Sequence, residues 1–514
     1  MRKASSCCCL LTGVALAASF AVGCAAEVGG ESDVETTAAA LTAGRSYLVS
    51  FSSGGIPANA SSLIAGAGGT IVARYNSVGA VLARSSSLSF ASSLRALVGI
   101  DAVGAVDAVK SSIAPVSMQG KHRSPHVAPP AAGDPLTPQQ WNMDQIRAPQ
   151  ARSITMGKKS VIAGLFDSGV DVTHADLAGQ VKASASASCV GGVANPSQAI
   201  WADDVIGHGT FTASVIAAAK NNVGIVGVAP NVSLAMVKVA VDDFNDPNFG
   251  QVFADAFVCA IDWAIAHDWD LINASLTIDP LTAPDDDTFC SDQPDRAAVV
   301  KIVRRAVLEA ARNKVTMVAA TGNAFTDLAN LDEIIGGTNC QQLPIQSPRV
   351  IGVSAVGVTR KLSFYSNYGF RATDLTAPGG DGLIPNPADT STAASGQVLG
   401  AVPPGSLYYQ FAADWDGGQV QDCTSGSCQT YAFLQGTSFA APHVTGVAAL
   451  LISRFGKQTP EQLLVKLSLG AKPLACPPSP YDPGDTGQPA TCRGPTFYNN
   501  FYGAGEVDAL AAVR

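Results

Sequence analysis

Three side chains far apart in the sequence have the types needed for nucleophilic catalysis: Asp167, His208 and Ser438. Asp167 follows the apolar run Val161-Ile162-Ala163-Gly164-Leu165-Phe166, after which Ser168-Gly169 turns the chain away. His208 lies in Gly207-His208-Gly209-Thr210, at the head of an apolar helical stretch. A carboxylate that accepts the Nδ1–H of an imidazole fixes its tautomer and stabilises the imidazolium formed when Nε2 takes a proton. Ser438 lies in Gly436-Thr437-Ser438-Phe439-Ala440-Ala441-Pro442-His443, just ahead of the apolar helical stretch Val444–Ile452. A serine at such a helix start has an exposed hydroxyl, and its N–H points where an oxyanion could bind. Asn323 follows Gly322 at the end of the run Val315–Ala320 and would be a second donor to that oxyanion. Plain structural roles compete with each reading: a turn or cap for Asp167, an N-cap for Ser438, a turn for Asn323. The other five histidines have weaker settings. His122 and His126 lie in a Pro-rich segment, His174 in a loop, His267 near a helix end, and His443 on a different helix face from Ser438. No G-x-S-x-G elbow surrounds Ser438, because Ala440 occupies its last position.

The elements that must position these residues alternate between strand and helix. Runs at Val161–Phe166, Leu234–Ala240, Leu271–Ser275, Val315–Ala320 and Val350–Val356 have the length and two-sided apolar character of buried parallel strands. Amphipathic helical stretches at His208–Lys220, Gln251–His267 and Arg296–Asn313 lie between them. The alternation predicts a doubly wound α/β fold with a parallel sheet and a site at the carboxyl ends of its strands. Right-handed crossover would then bring His208 beside Asp167. Earlier in the chain, Tyr47–Phe51 and Thr70–Tyr75 read as strands and Ala91–Val98 as a short helix. These make a small α+β unit of about 70 residues, a marginal size. Pro115, Pro125, Pro129, Pro130 and Pro135, with Gly120 and Gly133, mark an exposed linker of the kind proteases cut.

From about Gln140 to the C-terminus the chain resembles the subtilisin-like serine proteases. Asp167-Ser168-Gly169-Val170-Asp171, Gly207-His208-Gly209-Thr210 and the Gly436–His443 segment are similar to the Asp, His and Ser motifs of that family. Asp, His, Ser is also its chain order. Asn273-Ala274-Ser275-Leu276, Ala320-Thr321-Gly322-Asn323, Ala377-Pro378-Gly379 and Tyr502–Ala509 add further matches in the same order. The resemblance implies Asp167, His208 and Ser438 as the triad and Asn323 as the oxyanion donor. It implies that Ser275, Leu276 and Thr277 form the edge on which an extended substrate adds as a strand, although Thr277 stands where the family usually has Gly. Asp176 matches a position that binds structural calcium in relatives, and Asn221-Asn222-Val223-Gly224 resembles a shortened form of the accompanying loop. Asp176 and Asn222 are therefore candidate calcium ligands, with a solvated aspartate as the alternative. Residues 45–115 are similar to the family's inhibitory propeptide, which chaperones the enzyme, fills its cleft and is cut away autocatalytically. Gln140–Ile146 resembles the start of mature domains. The expected division is thus propeptide 45–115, processing linker 116–135 and catalytic domain 136–514.

Composition sets the partners and the compartment. The 514 residues include Lys+Arg 32 and Asp+Glu 41, a net charge of −9, with no basic run of nucleic-acid-binding length. A phosphate-backbone partner is excluded on that ground. Arg2 and Lys3 precede the apolar stretch Leu10–Gly23, too short to span a bilayer and suited to a signal peptide over 1–24. Ala21-Val22-Gly23-Cys24 resembles a lipobox, which makes a lipid on Cys24 the one expected membrane link; the alternative is ordinary cleavage and a secreted product. Residues 25–44 read as an acidic tether. Beyond the leader, Cys189, Cys259, Cys290, Cys340, Cys423, Cys428, Cys476 and Cys492 are an even set, as expected for disulfides in an exported chain. Cys423–Cys428 and Cys476–Cys492 are close enough for local loops, and no Cys/His spacing suggests zinc. Residues 278–294, with the solvated cluster Asp285-Asp286-Asp287, and residues 381–434 read as long loop insertions that either restrict the cleft or decorate it. The expectation is an exported, monomeric serine endopeptidase acting on proteins or peptides, with its own propeptide as inhibitor and no organic cofactor. Two alternatives stay open: a non-peptidase serine hydrolase such as an esterase, and a surface pseudoenzyme that only binds peptides.

Overall fold

A computed structural model describes residues 44–108, 110–112, 126–127, 133–242, 250–277, 293–335, 339–384, 386–387, 396–413, 417–424, 426–485 and 487–514. The leader, nearly all of the tether, the lipobox Cys24, Cys290, the Asp285–Asp287 cluster and most of the processing linker lie outside them. The first elements are β1 (Arg45–Phe51), α1 (Ala60–Gly66), β2 (Gly69–Tyr75), β3 (Ala80–Ser85), α2 (Phe90–Arg95) and β4 (Ile100–Ala105). The four strands pair antiparallel in the order β2-β3-β1-β4. Side chains alternate across a strand, and here the alternation separates two cores. Tyr47, Val49, Phe51, Val81, Ala83, Val103 and Ala105 pack on Ile64, Phe90 and Leu94 of the unit's own helices. Leu48, Ala80, Leu82 and Ala102 point the other way and join a core made with the rest of the chain. Residues Gly44–Arg514 accordingly cluster as one unit.

Two short strands, β5 (Lys110–Ser112) and β6 (His126–Val127), precede the large sheet. That sheet contains β7 (Ile162–Asp167), β8 (Ala187–Ser188), β9 (Ser233–Lys238), β12 (Leu271–Ala274), β13 (Thr316–Ala320), β14 (Ile351–Val356) and β15 (Leu375–Pro378), after two further strands, β10 (Ala240–Asp242) and β11 (Gly250–Phe253). Its order is β15-β14-β13-β12-β7-β9-β8, and all its strand pairs are parallel. The expected doubly wound α/β fold is present. The winding reverses at β7: the chain first adds strands on the β9 side and then returns to build outward from β12. A crevice opens at the carboxyl ends of the strands at such a reversal, and Asp167 is the last residue of β7.

The helices show where the sequence pattern misled. The stretch expected as helix from Gln251 to His267 opens instead with β11, which pairs with both β10 and β5; helix α4 then runs Ala254–Ala266. An apolar run beside two unpaired edges satisfies more backbone groups as a strand. Helix α3 covers His208–Ala217 and stops short of Lys220, because Ala219 N–H donates to the Asp176 carbonyl and Gly227 N–H to that of Ala218. Helix α5 is Pro294–Arg312, close to expectation. Residues 381–434 are not simply a loop. They contain β16 (Val398–Ala401), α6 (Leu407–Ala412), β17 (Gln419–Asp422) and β18 (Gln429–Leu434), in a second sheet ordered β16-β18-β17-β6. Leu399, Val420, Tyr431 and Phe433 bury against Leu136 and Ile225 there. The last long element before the C-terminal helices is α7 (Thr437–Phe455), which begins seven residues before the apolar stretch that marked it in the sequence. Disulfides join Cys423–Cys428 and Cys476–Cys492, and a third, Cys189–Cys259, ties the turn after β8 to α4.

The small sheet lies on α4 and α5. Lys301 pairs with Asp101 at 2.7 Å, Arg95 pairs with Asp295, and the Ser77 N–H donates to Asp262 at 2.6 Å. Gly104 on β4 allows the closest approach, since a Cβ there would collide with the Asp295 carbonyl oxygen and Val299. Gly104→Ala should therefore destabilise this contact by about 1–3 kcal/mol, the usual cost of overpacking. Faster hydrogen exchange in Pro294–Arg312 of the full chain is the expected sign, and unchanged exchange would rule the contact out as a determinant of docking.

Candidate active site

Asp167 and His208 meet as the crossover predicts. His208 is the first residue of α3, and Gly207 before it has φ 90, a backbone state that glycine adopts without strain. His208 Nδ1 lies 2.6 Å from Asp167 Oδ1, and neither side chain has appreciable exposure to solvent. The remaining Asp167 acceptors are occupied by the Ser168 N–H at 2.8 Å and the Thr212 hydroxyl at 3.0 Å. On the other side of the imidazole, Nε2 is buried and has no hydrogen-bond partner among the described residues. The rings of Tyr408 and Phe439 stand 5.5 Å and 5.9 Å from it, measured between centroids. Phe439 adjoins Ser438, so the imidazole faces the start of α7.

Ser438 is the second residue of α7, in the turn whose N–H groups have no intrahelical acceptor. Pro442 shapes this end: having no N–H, it leaves the Ser438 carbonyl unbonded within the helix. The Ser275 hydroxyl donates to that carbonyl at 2.6 Å, while the Ser438 hydroxyl donates to the Ser275 carbonyl at 3.2 Å. Asn273 Nδ2 in turn holds the Ser275 hydroxyl at 2.8 Å. Asn323 is brought to the same place. Its Oδ1 accepts from the Thr437 N–H at 2.9 Å and the Thr437 hydroxyl at 3.0 Å, which leaves Nδ2 as the group with hydrogens to offer. Leu276 is buried and Thr277 half-buried, on the segment that continues from β12 past Ser438.

Two groups that sequence reasoning passed over belong to this assembly. Asp204 is fully buried, and its oxygens accept from Gly207 N–H, Thr210 N–H, the Thr210 hydroxyl and the Ser168 hydroxyl. It pins the first turn of α3 and, through Ser168, the turn after Asp167. Burial pushes its carboxyl above the usual range despite those bonds. An acid three residues ahead of the N-cap Gly207, within reach of the free N–H groups of the first turn, was the available signal. Tyr408, from α6 in the second sheet's segment, left none, because nothing local says which distant ring an inserted tyrosine will cover.

The candidate calcium ligands do not assemble. Asp176 Oδ2 accepts from the Tyr431 hydroxyl at 2.9 Å and the Ile225 N–H at 3.1 Å, while Oδ1 is buried without a partner among the described residues. Burial pushes this carboxyl up to about 8, with the nearby Asp134 and Asp422 adding to the effect. The Asn222 side chain is exposed, and its N–H donates to Asp134. Calcium requires six to eight oxygen ligands. The neighbours of Asp176 instead present hydrogens, and among the described residues no three His, Cys, Asp or Glu side chains converge on a metal position. These residues do not fit the ion.

Comparison with known proteins bears on the family and the fold. The family model for peptidase S8, the subtilase family, matches residues 157–505. Subtilisin NAT of Bacillus subtilis subsp. natto is 27% identical over 374 residues, covering 73% of this chain and 71% of that protein. Among solved structures, the epidermin leader peptide processing serine protease of Staphylococcus aureus superposes with a TM-score of 0.62 at 19% identity, over 91% of this chain and 97% of that one. Fervidolysin from Fervidobacterium pennivorans, described as a keratinolytic enzyme related to subtilisin, gives a TM-score of 0.62 at 22% identity, over 91% of this chain and 61% of that one.

The histidines set aside in the sequence are structural and carry a pH consequence. His443 is buried on α7, between Asn142 at 2.7 Å and the Phe439 carbonyl at 2.7 Å, and His174 is buried against Thr430. Burial lowers both to about 4. Between that value and the ordinary histidine pKa of about 6.5, the unfolded chain binds more protons than the folded one. Their contribution to stability is complete above about 6.5 and is lost as pH falls towards 4. The buried carboxyls raised by burial, such as Asp176, act with the opposite sign and alike in both proteins. The urea midpoint of the wild type should therefore fall relative to that of His443→Gln as pH drops from about 6.5 to about 4; a difference that does not change with pH would exclude His443 as a source.

Proposed function

The chain belongs to the subtilase family and is a subtilisin-like serine endopeptidase, and from that premise we propose how its residues divide the work. One observation carries the reading: a buried imidazole is fixed through Nδ1 by Asp167, and its Nε2 is unpartnered and faces the start of the Ser438 helix. Ser438 turns its hydroxyl from the Ser275 carbonyl towards His208 Nε2, loses its proton there and attacks the scissile carbonyl. Hydrogen bonds at such a site often close only when substrate is bound. The tetrahedral oxyanion is held by Asn323 Nδ2 and the Ser438 N–H. His208 passes its proton to the leaving amine, and water then releases the acyl group. Ser275, Leu276 and Thr277 supply the edge for an extended peptide. Neither an organic cofactor nor structural calcium enters the reading.

Residues 45–115 act in this proposal as an inhibitory propeptide removed by the enzyme itself. Strand β5 adds antiparallel to β11, and Gly250 at the head of β11 packs on Ile206, two residues before His208. That placement supports a chain running from the small unit towards the cleft. The protein is exported and monomeric in this reading, acts outside the cell or on its envelope, and keeps any membrane link through a lipid on Cys24.

Four measurements test the proposal. Ser438→Ala should abolish both fluorophosphonate labelling and release of the small unit from the full chain. Asn323→Ala should lower kcat by about 100- to 1,000-fold, the usual cost of one lost oxyanion donor. Labelling of the wild type without casein cleavage would favour an esterase, and neither labelling nor release would favour a peptide-binding pseudoenzyme. Cys24→Ala should remove a diacylglyceryl mass from the exported protein; an unchanged mass means that no lipid is attached.

A further inference from the structure

We propose that Asn367 is a positioning residue for catalysis, holding the loop that presents Asn323; this rests on the reading of Asn323 as the oxyanion donor. The loop leaves β13 at Ala320 and passes through two left-handed backbone conformations, Gly322 at φ 96 and Phe325 at φ 52. A non-glycine residue in that region stores strain and keeps its place only when the surroundings hold it. The Phe325 N–H donates to the Tyr365 carbonyl at 2.8 Å and the Gly322 N–H to the Thr437 hydroxyl at 3.0 Å, and a single fully buried residue, Asn367, bonds the loop on both sides of Asn323. Asn367 Oδ1 accepts from the Ala324 N–H and the Thr326 N–H, each at 2.9 Å. Nδ2 donates to the Thr321 carbonyl at 3.0 Å and to Gln342 Oε1 at 3.4 Å. The Asn367 N–H donates to the Gly322 carbonyl at 2.9 Å, and its carbonyl accepts the Thr321 hydroxyl at 2.8 Å.

Asn367 therefore bonds residues 321, 322, 324 and 326, on both sides of Asn323, while none of these bonds involves Asn323 itself. The Asn323 side-chain amide is aimed from the opposite direction by Thr437, which precedes the nucleophile. The two supports are complementary, since Thr437 sets the direction of the amide and Asn367 sets the position of the backbone that carries it. An oxyanion donor helps only when it is already placed at the position the charge will occupy, so a shift of the loop should appear in the transition state more than in substrate binding. The chemistry of the position is specific. An amide offers two acceptor lone pairs and two N–H donors on a short stem, and all four are used here; aspartate lacks the donors and alanine lacks both.

The test is a double-mutant cycle in the full chain between Asn367→Ala and Asn323→Ala. Asn367→Ala alone should lower kcat by about 10- to 100-fold, a part of the effect of losing the donor itself, with KM within about twofold. It should weaken binding of a peptide boronic acid, a tetrahedral adduct, by a similar factor. In the Asn323→Ala background the same change should cost less than about threefold, because two residues serving one interaction are not additive. Equal losses in both backgrounds, or a rise in KM alone, would overturn the proposal. If Asn323→Ala keeps its kcat, the underlying oxyanion reading has failed instead. Should Asn367→Ala not fold, Thr321→Val removes a single bond to Asn367 and should give the same kcat-only signature at smaller size; a normal kcat in that variant sinks the proposal.

Discussion

Asp167 is a carboxylate with no exposure to water, placed at the end of a strand that is buried along its whole length. An ionised group in that position is tolerated only when its oxygens are bonded and its charge has a partner, because burial otherwise costs several kcal/mol. The donors come from the turn that follows it, from Thr212 one turn into α3, and from His208 itself. Each fixes another part of the molecule: the first turn of α3 must stand over the end of β7, and Gly207 must bend to put it there. Asp204 repeats the arrangement one layer back, and Ser168 joins the two acids. Satisfying one buried charge therefore specifies the crossover, the helix start and the tautomer of the imidazole together.

Much of this was legible because the residues concerned are bound by local rules. A buried parallel strand needs a continuous apolar run, so Ile162–Asp167, Thr316–Ala320 and Ile351–Val356 fell close to their predicted bounds. Asp167, His208, Ser438 and Asn323 sit beside strand ends and helix starts, where Gly and small residues leave a signature. The helix start at Ala254 was misread because β11 is a short strand with partners on both sides, β10 just before it and β5 far earlier in the chain. The second sheet was misread for a related reason. Its strands are short and set among Gly, Ser and Thr, and their apolar faces need Leu136 and Ile225 from elsewhere in the chain to make a core. Asn367 left no pattern at all: one asparagine in a turn reads as a turn residue until its bonds to residues 321, 322, 324 and 326 are seen together.

The Asp176 region shows how a motif can survive while its surroundings change. The aspartate and the Asn221–Gly224 loop keep the order that suggested calcium, but the second sheet contributes Tyr431 to Asp176 and Asp422 to the Gly224 N–H, and Asp134 receives two N–H groups from the loop. The loop is closed by hydrogen bonds that cross from three segments of the chain. The insertion is thus part of the fold's framework as well as a cover for His208.

The alternation in β1, β3 and β4 has a further meaning. One face of the small sheet belongs to its own helices and the other belongs to α4 and α5, with Leu48 and Leu82 in the same apolar cluster as Phe257 and Val299. Scission of the linker breaks one covalent bond and none of these contacts. A severed small sheet would remain a tightly held ligand of the enzyme that cut it, departing only as fast as that apolar surface can be returned to water. Under the proposed processing, cutting and activation would be separate events in time, and the interval between them a property of this interface and not of the catalytic residues.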